Sequence, residues 1–410
     1  MKSRMALKAM KTRSKLYWLV GGGIGMLVLL IAGLLIGNQL RTNHWANRAA
    51  AIKYAKKHFN ANVKLYGTPI GNLTQTAAYH KINQKAPNTA VLNAKQGQVT
   101  LKRDAKVVTI SRSQLATYFN KQHTKLPNNQ SYTYPNQALL QAQKRLRAVN
   151  KTVISYQLPT RQVKFAANSL LTTVRYQNKH YQFGPSPKLT AKLNTLDQTV
   201  STLHKSYSVT VPQGDKVAGK TIKVKNATYG WGIWVDKAAG LIKQAMLSGR
   251  DQHLDGAAAI YGLGYSTYGL GYGKANAGLG RDYVVVSLNQ QEVWIVKDGR
   301  LALHLTDVVT GTKTGGSDRT PTGVYYIHYK QQNATLRGNN DDGSKYASKV
   351  NYWMPFTLSG CGLHDASWRT DWSKTAYLQG GSHGCINIKP AEIRSVWDNV
   401  KKHEPVIIYN

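Results

Sequence analysis

Glutamate is missing from most of the chain: the first is Glu292, and 410 residues carry only 18 acids against 55 lysines and arginines. Cysteine is almost as scarce, with Cys361 and Cys385 alone. Two cysteines exclude a disulfide-rich scaffold and a four-cysteine zinc site. Between residues 38 and 255 the histidines (His44, His58, His80, His123, His180, His204, His253) lack metal-ligand spacing, and no catalytic constellation stands out there. No repeat period, no nucleic-acid-binding motif and no A-x-A cleavage site is found.

Charge is also missing locally. From Leu16 to Gly37 no charged residue occurs over 22 positions, after a leader with six cations (Lys2, Arg4, Lys8, Lys11, Arg13, Lys15). That length suits one membrane-spanning helix of about 20 residues. Without a cleavage site the segment reads as an uncleaved anchor. Basic residues also follow the span, so the charge bias is weak, and a short cytoplasmic leader is the default orientation. The rest of the chain would then lie outside the cell, which argues against a nucleic-acid partner.

Residues 1–280 hold 40 cations and 6 acids, whereas residues 281–410 hold 15 and 12. The basic front calls for a polyanionic neighbour. At 410 residues, two or three folding units are expected. Residues 45–58 read as helix, as do 113–119 and 136–148; residues 99–103 and 107–110 read as strands. Asp236 is expected to cap a helix over 237–246. Residues 256–280 contain eight glycines and four tyrosines and read as a linker.

Beyond it, short β-branched and aromatic runs predict strands at 283–288, 292–296, 301–309, 324–329 and 406–409. Lys297-Asp-Gly-Arg300 predicts a hairpin turn. Ile393, Val396, Trp397 and Val400 predict a helix, with Pro390 near its first turn.

The chemistry concentrates in Gly380-Gly-Ser-His-Gly-Cys-Ile-Asn387. Cys385 is a candidate nucleophile, which needs a histidine to take its proton and main-chain N–H groups to hold an oxyanion. Gly384 lets the main chain approach a substrate carbonyl. A second histidine, His364, stands in Gly362-Leu-His-Asp-Ala-Ser-Trp-Arg369, with 17 residues between it and Ser382. A two-cysteine, two-histidine metal site (Cys361, His364, His383, Cys385) is disfavoured: the H-x-C pair is too tight, and Cys361 and His364 would face opposite sides of a strand.

This combination resembles the L,D-transpeptidase family of bacterial cell-wall enzymes. Ser382, His383, Gly384, Cys385, Ile386 and Asn387 match its signature, and the likeness extends through Val308–Gly311, Thr320–Gly323, Tyr352–Phe356 and His364–Arg369. It covers about residues 281–410. More loosely, Tyr66–Thr74 and Tyr229–Asp236 resemble the peptidoglycan-binding stalk that accompanies such domains.

These readings together give an α+β chain with a cytoplasmic basic tail (1–15), a transmembrane anchor (16–37), a mixed α+β stalk (38–255) and the linker (256–280), to which the resemblance adds a mainly-β, sandwich-like catalytic domain (281–410) with a C-terminal helix. The resemblance implies acylation of Cys385 by a stem tetrapeptide, release of D-Ala, and transfer to a neighbouring stem amine as a 3→3 cross-link. Water as acceptor would make an L,D-carboxypeptidase, and a wall-binding protein without catalysis is a third class. The family uses neither metal nor cofactor.

In these terms His364 is the base, and His383 and Gly384 shape the oxyanion loop. Asp365 is the third member, although on a strand its carboxylate would face away from His364, leaving its carbonyl to orient the ring. Ser382, Asn387, Tyr352, Trp353, Trp368 and Arg369 are candidates to line the substrate cleft. Cys361 is expected as a buried thiol. Expected partners are peptidoglycan stem peptides, anionic envelope polymers or lipids on the basic stalk, and the membrane at 16–37.

Overall fold

The computed structural model describes residues 4–216, 219–313, 316–340 and 342–410, with side chains described from residue 29 onward, Trp45 excepted. One helix runs Arg4–Ala55, joining the apolar run to the helix expected at 45–58. The proposed span at 16–37 lies mostly outside the residues whose side chains are described. Among the described residues, no helix is long and apolar enough to cross a membrane.

The chain divides into two compact units. One comprises residues 1–91, 99–144 and 175–182; the other 92–98, 145–174 and 183–410. In the first unit, Phe59, Val63, Leu65, Ile70, Ile82, Leu115 and Phe119 form the core. Its helix Arg112–Gln122 starts at a Ser111–Gln114 capping box, which satisfies two otherwise orphaned N–H groups. The strand expected at 107–110 is absent; Asn83 instead accepts from the Thr109 and Ile110 N–H groups through its side-chain oxygen, and Asn88 donates to the Val107 carbonyl.

The second unit contains the catalytic candidates. Its strands are β1 (Tyr283–Ser287), β2 (Glu292–Lys297), β3 (Arg300–Leu305), β4 (Gly323–Tyr326), β5 (Gln331–Asn339), β6 (Lys345–Pro355), β7 (Gly362–Asp365), β8 (Ile386–Ile388) and β9 (Pro405–Tyr409). A five-stranded sheet has the order β3-β2-β1-β9-β4, and a four-stranded sheet β5-β6-β7-β8. The β2–β3 hairpin turns through Asp298 and Gly299 with φ of 51° and 74°, the left-handed pair that an Asp-Gly turn favours. β3 ends at Leu305, shorter than the run to 309 suggested.

Every residue of β1 is buried, because the larger sheet is covered on both faces. On one face Val284, Val286, Val293 and Ile295 pack with Met354, Phe356, Leu363, Ile386 and Ile388 of the smaller sheet and with Ile393, Val396 and Val400. This is the sandwich core, and it fixes the plane on which β7 and β8 stand. On the other face Val285, Trp294 and Ile407 meet Tyr207, Val209, Val224, Tyr229 and Leu279.

Two helix starts differ from the sequence expectation. The helix Val235–Met246 begins after Trp234, so Asp236 lies inside its first turn and caps nothing. The closing helix is Ile393–Asn399, and Pro390 sits in the turn before it. The glycine-rich stretch 256–280 belongs to the second unit and does not hang free. Tyr229 donates to the Gly278 carbonyl at 2.6 Å, Leu270 N–H to Gly230 at 2.8 Å, and Trp231 packs edge-on to Tyr272 at 4.8 Å. Gly271 has φ +76° and leaves no room for a Cβ beside the Gly278 carbonyl, so this close approach requires glycine.

Candidate active site

β7 is short and buried. It pairs antiparallel with β6, placing Trp353 opposite His364, and parallel with β8, placing Asn387 opposite His364. The turn 382–385 enters β8, so this register brings Cys385 and His364 to the same end of the sheet. A cleft of about 260 Å³ opens there, lined by His364, Trp368, Arg369, Ser382, His383, Cys385, Asn387, Tyr346 and several neighbours.

His364 is buried, and its Nδ1 lies 2.8 Å from the Asp365 carbonyl oxygen. A carbonyl can only accept, so Nδ1 carries the proton and Nε2 the lone pair. Asn387 Nδ2 donates to that lone pair at 3.2 Å. The Asn387 orientation is fixed in turn, since its Oδ1 accepts from Arg369 Nε at 3.0 Å. Burial pushes the His364 pKa down; the Asp365 carbonyl and carboxylate work against that, and the Arg369 charge adds to it.

The Asp365 carboxylate faces the other way, as alternation along a strand requires. It accepts from the Asn351 and Tyr352 main-chain N–H groups at 3.0 and 2.9 Å and from Asn351 Nδ2 at 3.1 Å. The carboxylate therefore ties β6 to β7, while the carbonyl of the same residue holds the imidazole.

Cys385 is half-buried, and its thiol points to the Gly360 carbonyl at 3.7 Å. Burial pushes the thiol up to about 12; the neighbouring Cys361 adds to the rise and a main-chain bond from Gly362 draws it down. Both shifts favour the uncharged forms, a thiol and a neutral imidazole. Cys361 is buried, and both cysteines are free.

The turn before Cys385 is built from small groups. Gly384 has φ +100°, and a Cβ there would stand 2.7 Å from Cys361 Sγ, so no larger residue fits. Buried Thr320 accepts from Gly311 N–H at 2.8 Å and donates to the Gly384 carbonyl at 2.9 Å. Ser382 Oγ donates to the Cys385 carbonyl at 2.5 Å. Ser382 is thus a brace for the turn as well as part of the cleft wall.

Of the six residues expected to line the cleft, Ser382, Asn387, Trp368 and Arg369 do so. Tyr352 does not; it lies on the opposite face of β6, with its ring 5.1 Å from Trp397. Trp353 is buried beneath the cleft, its ring 5.7 Å from His364. His383 is exposed and stacks on Tyr346 at 5.2 Å with planes 10° apart. Tyr346 is the principal lining residue that the sequence did not reveal, together with Leu336, Asn340 and Ser348 from the same hairpin. Thr320 had a signal, being part of the Thr-Pro-Thr-Gly run.

The family model YkuD, L,D-transpeptidase catalytic domain, matches residues 281–408. Among solved structures, the Ldtfm–avibactam carbamoyl enzyme is similar over 66% of this chain and 99% of its own, with 26% identity and TM-score 0.51. A cysteine-to-serine mutant of the Enterococcus faecium L,D-transpeptidase matches over 65% and 98%, with 26% identity and TM-score 0.50. The catalytic domain of the E. faecium L,D-transpeptidase is 41% identical over 31% of this chain and 96% of its own, with TM-score 0.28. Among curated proteins none matches.

Proposed function

Because residues 281–408 are an L,D-transpeptidase catalytic domain, we propose that this chain forms 3→3 peptidoglycan cross-links through an acyl-enzyme on Cys385. The observation that carries this reading is a tautomer-fixed His364, lone pair on Nε2, in the same cleft as the only half-exposed thiol.

Rotation about the Cys385 Cα–Cβ bond turns the thiol from the Gly360 carbonyl toward Nε2. As the sulfur–carbon bond forms at the penultimate carbonyl of a stem tetrapeptide, the Asn387 Nδ2 bond to Nε2 gives way and Nε2 takes the thiol proton. It returns that proton to the departing D-Ala nitrogen, leaving a thioester. A second stem amine then forms the new amide bond, and the carbon–sulfur bond breaks. The turn at His383 and Gly384 faces the oxyanion, while Trp368 and Arg369 bound the donor. The scheme uses a thiol and an imidazole, so neither metal nor cofactor enters it. With water as acceptor the same thioester gives an L,D-carboxypeptidase.

Incubating the full chain with a disaccharide-tetrapeptide and weighing the products tests this reading. A cross-linked dimer with loss of D-Ala is expected. A tripeptide alone would mean hydrolysis, and unchanged substrate with folded protein would leave a wall-binding protein.

The segment 38–280 carries 34 cations and 6 acids. We assign it to holding the enzyme among anionic envelope polymers and lipid headgroups outside the cell, behind a single-pass anchor at 16–37 with the N-terminus inside. The stretch before the catalytic domain would bind peptidoglycan as its resemblance implies. Retention on isolated walls should fall steeply between low salt and about 0.5 M, where the screening length is only a few ångströms. Retention independent of salt would contradict the electrostatic part of this assignment.

A further inference from the structure

Arg369 lines the cleft, yet its guanidinium is also engaged within the fold. Nε donates to Asn387 Oδ1 at 3.0 Å, and Nη1 donates to the Gly380 carbonyl at 2.8 Å, at the start of the run that carries Cys385. The main chain of Arg369 is held as well. Its N–H donates to the Ala366 carbonyl at 3.2 Å, and its carbonyl accepts from Trp372 Nε1 at 3.1 Å. Burial draws the guanidinium pKa down and the Asp371 charge works against that, but a guanidinium stays charged at any working pH.

A guanidinium can only donate, so Arg369 selects the oxygen of the Asn387 amide and turns Nδ2 toward His364 Nε2, 3.2 Å away. A donor aimed at Nε2 favours the lone pair there. The flipped amide would present its oxygen and favour the imidazolium instead. The other groups around the ring are few. On its own strand stands Asp365, whose charge favours the imidazolium although its carboxylate turns toward β6. The turn 382–385 brings His383 and Cys385, and the β5–β6 hairpin brings Tyr346. The uncharged rings of Trp353 and Trp368 lie 5.7 and 5.8 Å from His364. Against the imidazolium stand the burial of the ring and the Arg369 charge. Arg369 thus opposes ring protonation twice, through space and through the amide it orients.

We propose that Arg369 is a positioning residue that acts through Asn387, keeping the Nε2 lone pair of His364 available and making the ring quick to release any proton it takes. In its kinetic consequence the inference rests on the transpeptidase reading above. When the sulfur–carbon bond forms, the thiol proton moves to Nε2, and the new Nε2–H faces the Asn387 Nδ2–H, donor against donor. Arg369 keeps the amide from turning its oxygen to that proton. The proton therefore leaves for the D-Ala nitrogen as the carbon–nitrogen bond breaks, and the ring returns neutral to its bond with Asn387. A side chain that merely bounded the donor would alter KM and leave the protonation of His364 where it was.

The test reads His364 directly and then through the reaction. In the full chain carrying Cys385→Ala, the imidazole signals of histidine are followed by NMR against pH, and His364 is assigned by the signal lost in His364→Ala. Adding Arg369→Gln is expected to raise the His364 midpoint by about one pH unit. Arg369→Lys keeps the charge but loses the fork, so a smaller rise is expected, and it also serves should Arg369→Gln not fold. With Asn387→Ala in place, the rise caused by Arg369→Gln should shrink to less than about half, since two residues acting in series are not additive. In the chain with its thiol, the acid limb of kcat/KM for D-Ala release should move upward with Arg369→Gln by the same amount, whatever the change in KM. An unmoved or lowered midpoint would overturn the inference, and so would an equal rise with and without Asn387. If the unaltered chain is never acylated, the transpeptidase reading fails, while the NMR midpoints still decide the role of Arg369.

Discussion

A chain carrying Cys385→Ala is expected to release no D-Ala above background, a loss on the order of 10⁴-fold or more for removal of a nucleophile. It should unfold at nearly the temperature of the parent. The position of residue 385 does not depend on its sulfur. Ser382 holds its carbonyl at 2.5 Å, Thr320 holds the preceding carbonyl at 2.9 Å, and β8 is locked in register with β7. The thiol makes a long contact to Gly360 and packs on the edge of a small cluster of Ala334, Val350 and Trp353, so its loss should cost about 1 kcal/mol. Cys361→Ala makes the contrast. That side chain is buried in the sandwich core against Gly384, and its removal should cost about 1–2 kcal/mol while leaving acylation within several-fold. If the two variants exchanged these outcomes, the assignment of the nucleophile would be wrong.

His364 and Asp365 should separate in the same way, although they are neighbours in sequence. His364→Ala removes the proton acceptor, and acylation should fall about 10²–10⁴-fold. Asp365→Asn leaves the carbonyl that orients the ring but points an amide at donors that its carboxylate accepted. The carboxylate of Asp365 binds two main-chain N–H groups of β6 and is buried. Turning one oxygen into a donor there should cost about 2–4 kcal/mol of stability. Folded Asp365→Asn should still acylate within about tenfold.

The pH profile gives a further handle. Burial already sets the His364 pKa below its ordinary value, and the Asp365 charge opposes that shift. Neutralising Asp365 removes a stabiliser of the imidazolium, so the acid limb of kcat/KM should move to lower pH. A shift to higher pH, or loss of acylation in a folded Asp365→Asn chain, would mean that the carboxylate acts on the imidazole in some other way.

The parts legible in the sequence were those where chemistry and local geometry coincide. The Ser-His-Gly-Cys-Ile-Asn run needs adjacent residues in a tight turn, and Gly384 at φ +100° is such a position. Strand alternation alone predicted that the Asp365 carboxylate would turn from His364, and the geometry has it doing so. The Asp298-Gly299 turn was readable because few dipeptides accept two positive φ values.

What the sequence does not reveal depends on long-range pairing. The β5–β6 hairpin supplies Tyr346, Ser348, Leu336 and Asn340 to the cleft. Its β5 reads Gln-Gln-Asn-Ala-Thr-Leu-Arg-Gly-Asn, too polar to signal a strand facing a core. Tyr352 and Trp353 illustrate the same limit from the other side. Adjacent residues of a strand point oppositely, and only the pairing of Trp353 with His364 decides which of them lies under the cleft. The stretch 256–280 reads as a linker in sequence because its glycines and tyrosines have no period. Its order comes from single hydroxyl and carbonyl bonds to Tyr229 and Tyr326, distant in sequence. Asp236 failed as a cap because the helix starts one residue before it.

The central claim is that a stem tetrapeptide is bound covalently through Cys385 with loss of D-Ala. Intact-mass measurement of the full chain, quenched in acid within the first turnover on a disaccharide-tetrapeptide, addresses it directly. The predicted result is an adduct equal to the substrate minus one D-Ala, mapped by peptide digestion to the segment holding Cys385 and absent from Cys385→Ala. D-Ala release from folded protein with no adduct, or an adduct that persists in Cys385→Ala, would contradict it.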